Sequence, residues 1–164
     1  MAAVAVAGYA AVAAAVEFLG VEVGGTLNVQ DAKVREKVGV GKPVSIVLAS
    51  GFKYWQCDST APKCGYDEFG VMVSTNNVVL GVSASVDCPD EKTAKEKKEK
   101  IFSEFKAKYA SRLSPDGEFV LNVVSAKDAS GKAYVDVDLS MEEFKSVLGR
   151  NNMCGKQSGK CAIR

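Results

Sequence analysis

A chain of 164 residues with 21 Lys and Arg, 20 Asp and Glu and no His is long enough for one domain with a sizeable core. The balanced charge leaves no global field to hold nucleic acid. The missing His removes the Ser/His and Cys/His nucleophile systems and most catalytic zinc sites.

The first segment, MAAVAVAGYAAVAAAVEFLGVEVGG, has no charged side chain before Glu17, and the next is Glu22. As a helix, Ala2 to Val16 would reach about 22 Å, short of the roughly 30 Å hydrocarbon core, and continuation to Val21 would make up the distance with Glu17 near an interface. A cleaved export signal is disfavoured because no Lys or Arg precedes the apolar run. An Ala-rich helix buried in a soluble core is one expectation, since Ala is the best helix former. A membrane helix over residues 1–25, packed against other helices, is the sharper one. Ala3, Ala7, Ala11 and Ala15 recur every fourth residue and would form a smooth face that a neighbouring backbone can approach.

Residues 26–43 read as a linker with one short helix, punctuated by Gly39, Gly41 and Pro43. Gly41-Lys42 suggests a phosphate loop, but Pro43 stands where Ser or Thr is required and the first glycine of that motif is missing. The domain proper is expected over residues 44–149. VSIVLA predicts a covered strand, and FKYW after Gly51 predicts a second strand or a bulge. FGVMVS and VVLGVSASV flank STNN, whose Asn residues tolerate the positive φ of a tight hairpin. Leu80, Val82, Ala84 and Val86 should face the core, with Gly81, Ser83 and Ser85 facing solvent.

Asp87, Pro89, Asp90 and Glu91 announce a helix running to about Leu113. Its apolar stripe is Ile101, Phe102, Phe105, Tyr109 and Leu113, and Glu91–Lys95, Glu96–Lys100 and Glu104–Lys108 are candidate i, i+4 pairs. The Lys-rich start reads as a solvated face because Glu is interleaved through it. SPDG is a turn, and FVLNVVS and AYVDVDL form a further hairpin. Asp136 and Asp138 alternate with Val135, Val137 and Leu139. They lack the loop, Gly and terminal Glu of an EF-hand, so exposed strand carboxylates are expected. Ser140 and Glu143 suggest a capping box before a short helix ending at Gly149. Residues 150–164 form a Cys-containing tail.

The fold class expected is α+β: an antiparallel sheet built from hairpins, one long amphipathic helix and a short C-terminal helix, preceded by the Ala-rich, membrane-spanning helix.

Two eight-residue segments, CDSTAPKC and CGKQSGKC, place Cys57 with Cys64 and Cys154 with Cys161. Six intervening residues are loose for a zinc knuckle, and neither pair is the CxxC of a redox centre. Two local disulfides are therefore expected, with Cys88 the odd thiol, and they would place the domain in an oxidising space. Phe52, Tyr54 and Trp55 lie close together and could form a partner surface, with core packing the competing account. An enzyme using Cys88, Asp136 or Asp138 is the least favoured class.

No residue set points to catalysis, to a metal or to a required cofactor, and none identifies a pigment or lipid ligand. The expectation is a non-catalytic accessory subunit of a membrane complex, with thylakoid photosystem or antenna the favoured host and the domain in the lumen. Its partners would be other membrane subunits and lipid, not nucleic acid. A mitochondrial inner-membrane subunit and a secreted, disulfide-stapled binding module are the alternatives.

Overall fold

Where a helix reaching Val21 was expected, Val16–Phe18 (β1) and Val21–Val23 (β2) form an antiparallel hairpin. The computed structural model describes residues 15–113 and 117–144. Ala3, Ala7 and Ala11 lie outside them, and Ala15 is a half-buried residue just before β1 rather than a helical one. Leu19 at φ 55° and Gly20 at φ 78° close the hairpin as a two-residue turn with both φ positive, the geometry whose twist matches that of paired strands. Val16, Val21 and Val23 are 0, 3 and 2 % exposed. Burying each contributes roughly 1.5–3 kcal/mol, and VEF and VEV have the period-2 pattern that turns Glu17 and Glu22 outward. Among the described residues the core thus reaches back to Val16, upstream of the expected boundary at residue 44.

The segment read as a linker is likewise built in. Ala32–Val38 (α1) starts at Asp31, whose carboxylate accepts from the Lys33 amide at 2.8 Å, and stops at Gly39 with φ 90°. Val29, Val38 and Val40 join the core.

The main sheet has six strands, all neighbours antiparallel. In chain order these are Val44–Val47 (β3), Lys53–Asp58 (β4), Glu68–Ser74 (β5), Val79–Cys88 (β6), Phe119–Lys127 (β7) and Ala133–Met141 (β8), and their spatial order is β3-β4-β5-β6-β8-β7. The β5–β6 hairpin turns at Asn77, φ 64°, as the paired Asn residues predicted. The alternation expected for β6 breaks once. Val73 pairs with Val79 and Met72 with Gly81, so Leu80 is a bulged extra residue. It packs with Tyr54, Met72 and Phe144 instead of joining Val82, Ala84 and Val86 in the main core.

Glu91–Tyr109 (α2), continued by a 3-10 turn over Ala110–Arg112, lies across β6, β7 and β8. Asp90 caps it, accepting from the Thr93 amide at 2.7 Å. Ala94, Ile101 and Tyr109 are buried, whereas Phe102 is 40 % exposed and leaves the expected stripe. Of the expected ion pairs only Glu91–Lys95 forms, at 2.8 Å; Glu96 turns to Lys92 and Glu104 to Lys100, while Lys108 lies over the Tyr109 ring. The hairpin and α2 close on one another through Phe18, edge-on to Tyr66 and Phe105 at 5.5 and 5.2 Å.

β8 continues through Ser140 to Met141, so Ser140 is a buried strand residue and not the opening of a helix. Residues 142–144 are helical, and the remainder of the expected C-terminal helix and tail lies outside the described residues.

Candidate functional site

The face of the sheet turned away from α2 is neither bare nor uniformly apolar. Strand alternation puts Asp58, Gly70, Ser83, Asp138 and Asn122 in one row across β4, β5, β6, β8 and β7, each directly opposite its neighbour in the register. The adjoining row on β6, β8 and β7 holds Ser85, Asp136 and Val124.

Gly70 makes the row possible. A Cβ there would stand 2.7 Å from Gln56 Nε2, 3.3 Å from Ser83 Oγ and 3.4 Å from Asp58 Oδ1. Gln56 itself is buried and donates to Asp58 Oδ1 at 3.0 Å.

The two aspartates expected to be exposed are covered. Asp136 is 4 % exposed and Asp138 is mostly buried. Burial first, and then the charge of Asp136, pushes the Asp138 carboxyl up to about 7, while a hydrogen bond from Asn122 opposes the rise. The reason for the correction is tertiary: β8 is an interior strand, so Asp136 stands between Ser85 and Val124 and Asp138 between Ser83 and Asn122 on the flanking strands. Ser83, 2 % exposed, has a hydroxyl with no hydrogen-bond partner, and the same is true of Asp138 Oδ1. Among the described residues no three Cys, Asp or Glu side chains converge as a metal group would.

The other end of this face is apolar. Tyr54, Met72, Leu80 and Phe144 form a second cluster, extended by Ile46, Leu48, Phe52 and Met141. The Tyr54 and Phe144 rings meet edge-on at 5.4 Å, and burial lifts the Tyr54 hydroxyl to about 12. This cluster runs out to β3, which among the described residues pairs only with β4; Val44, 57 % exposed, extends this face, while Val47, 63 % exposed, points to the other.

The aromatic trio is not one surface. Tyr54 is buried with Phe52 on this second face, while Trp55, one residue on, points to the α2 side with Lys53 over its ring at 5.3 Å. Strand alternation divides them.

Cys57, Cys64 and Cys88 are all free thiols. Cys57 is 0 % exposed inside β4, and Cys64 is exposed at φ 54° beside Gly65. One side chain points into the core and the other into solvent, so the expected local bond between them is not made; Cys154 and Cys161 lie outside the described residues. Burial raises the Cys57 thiol to about 11 and raises Cys88 as well, the opposite of an activated nucleophile.

A shallow groove of about 320 Å³ lies between α1 and Thr60 and includes Gly41 and Lys42. Arg35 in its wall is already bound to the carbonyls of Val29 and Gln30 at 2.7 and 3.0 Å. The groove brings no nucleophile and base together.

Ser83 and Ser85, expected to face solvent, are 2 and 8 % exposed, and Asn122, Gln56 and Gly70 were not singled out by the sequence reasoning. The available signal was the matching of S-A-S in β6 with D-V-D in β8, two i, i+2 polar pairs on strands that turn out to be neighbours. No protein-family model matches the chain, and no curated protein or solved structure does.

Proposed function

We propose that the protein is a non-catalytic accessory subunit of a membrane protein complex, docked through the apolar end of its sheet. The favoured host is a thylakoid photosystem or antenna complex, with the domain in the lumen. The observation that carries the proposal is the β3 edge, on a strand that among the described residues pairs on one side only: Val44, 57 % exposed, lies on the same face as Ile46 and Leu48, and Val47, 63 % exposed, projects from the opposite face beside Lys53. Exposed apolar side chains next to unpaired backbone groups are an invitation to another chain, by strand addition or by side-chain packing. Pro43 before the strand and its length of four residues limit how far such pairing can run.

The Ala-rich residues 1–14, with Ala3, Ala7 and Ala11 at fourfold spacing, support a membrane-embedded partner. One observation favours the second reading, a soluble binding module. Val16–Val23, which a helix would use to reach about 30 Å, are committed to the β1–β2 hairpin. Affinity capture of the full chain in mild detergent, followed by mass spectrometry, tests the proposal. It should recover membrane subunits with the wild type and far less with Val44→Lys/Val47→Lys. Equal recovery with both would remove the β3 edge from the account.

A further inference from the structure

β7 ends the sheet on the side away from β3. Among the described residues it pairs with β8 alone, apart from a bridge between Leu113 and Phe119 at its start, so its outer side from Val120 to Lys127 faces no other strand. Edge strands are ordinarily blunted by shortness, proline, charge or a bulge. β3 has two of these protections, its four residues and Pro43. β7 has nine residues in unbroken register with β8, no proline, and no charged side chain before Lys127. At about 3.3 Å per residue it could pair an incoming strand over roughly 26 Å.

A groove carries this edge onto the helix. A cavity of about 220 Å³ lies between Glu91, Ala94 and Lys95 at the start of α2 and Ser125, Ala126 and Lys127 at the end of β7. Glu91 is shared there by Lys95 at 2.8 Å and Lys127 at 2.9 Å, two cations on one carboxylate. From Lys95 the steps i+3, i+4 and i+4 carry Lys98, Phe102 and Lys106 along the same flank of α2. Phe102 is 40 % exposed with Lys106 Nζ 5.8 Å from its ring centre. Among the described residues Lys98 and Lys106 make no ion pair. Only Glu91 and Glu99 oppose the four lysines, so the rim is basic around an exposed ring.

We propose that the β7 edge and the Lys98–Phe102–Lys106 flank of α2 form a docking site for an extended acidic segment of a partner protein, which adds to the sheet as a seventh strand. Main-chain hydrogen bonds to β7 supply the affinity, Phe102 packs against an apolar side chain, and the lysines select acidic residues. A second copy of this chain is a poorer occupant. Pairing two β7 edges about a two-fold axis normal to the sheet sets both basic α2 flanks side by side on one face, where like charges repel. The site lies at the opposite end of the sheet from β3 and stands whether or not β3 docks the chain in a membrane complex.

The test uses the full chain and a fluorescein-labelled peptide in which Val and Glu alternate, with a Val/Lys peptide and a Pro-interrupted Val/Glu peptide as controls. Fluorescence anisotropy should give the Val/Glu peptide a Kd below about 1 mM, and each control should bind at least tenfold more weakly. Hydrogen exchange should slow at amides between Val120 and Lys127 when the Val/Glu peptide is bound. Lys98→Glu/Lys106→Glu should weaken its binding at least tenfold, and Phe102→Ser several-fold. Denaturant midpoints should hold for the lysine variant, whose side chains lie on the helix surface, so the test survives if the Phe102 variant misfolds. Absence of binding, protection at β3 in place of β7, or undiminished binding by the variants would overturn the site. So would self-association of the free chain with protection of β7, which would make the occupant a second copy. Lysine-dependent binding to phosphatidylglycerol vesicles with no peptide binding would overturn it too, by making the flank a lipid contact.

Discussion

Ser83 on β6 and Asp138 on β8 stand directly opposite one another on the sheet face away from α2, and neither the Ser83 hydroxyl nor Asp138 Oδ1 has a hydrogen-bond partner. Buried polar atoms without partners are rare in folded proteins. Here they sit in the middle of the sheet, beside the buried Asp136. The face combines this polar row with an apolar patch at its β3 end, so one sheet carries two separable surfaces.

The polar row makes stability depend on pH. Asp138 is raised from 3.8 to about 7, so between those values the folded chain holds a proton that the unfolded chain has released. Stability from this group is complete below about 4 and falls as pH rises towards 7, by on the order of 4 kcal/mol in all. Glu91, held down to about 2 by Lys95 and Lys127, acts in the opposite sense and only at lower pH. Urea unfolding at pH 4.5 and 7.5 should show the wild type losing stability with rising pH, and Asp138→Asn losing much less. An identical slope in the two proteins would contradict this assignment.

Phe18 holds the β1–β2 hairpin against α2 and the Tyr66 loop. Phe18→Ala should cost about 3–5 kcal/mol, the usual range for deleting a buried ring, measured by chemical denaturation. A loss under about 1 kcal/mol, the scale of a surface change, would mean that the hairpin is not part of the core.

The cysteines divide by exposure. Without reductant, alkylation of the native protein followed by peptide mapping should label Cys64 first, with Cys57 and Cys88 protected until unfolding. If Cys64 becomes reactive only after reduction, it is disulfide-bonded and the argument for an oxidising compartment regains its force.

Val44→Lys/Val47→Lys should change folding stability by no more than about 0.5 kcal/mol, as expected for exposed positions, yet release the chain from its complex. Denaturant midpoints and co-purification measured on one preparation separate the two effects. A variant that unfolds would show that these side chains belong to the fold and not to an interface.

The hairpins, the α2 start at Asp90 and the α+β class could be read from local chemistry: turn residues, a capping carboxylate and period-2 alternation. The β1–β2 hairpin was legible too, in VEFLGVEV, but the alanines before it carried the helical reading across a strand signal. Other features depend on distant neighbours. Alternation placed Asp136 and Asp138 on the face opposite Val135 and Val137. It did not say that β8 lies inside the sheet, between β6 and β7. The Leu80 bulge reverses the local facing of β6 and has no signature in VVLGVSASV. The cysteine spacing suggested staples, whereas Cys57 is buried because its side of β4 faces the helix layer, and Cys64 is exposed in the loop beyond the end of that strand.

The central claim, membership in a membrane complex, is met most directly by blue native electrophoresis of host membranes solubilised in mild detergent and probed for this chain. The account predicts migration with a large membrane complex and loss of that band for Val44→Lys/Val47→Lys. Quantitative recovery of the wild-type chain as a monomer in a detergent-free extract would contradict it.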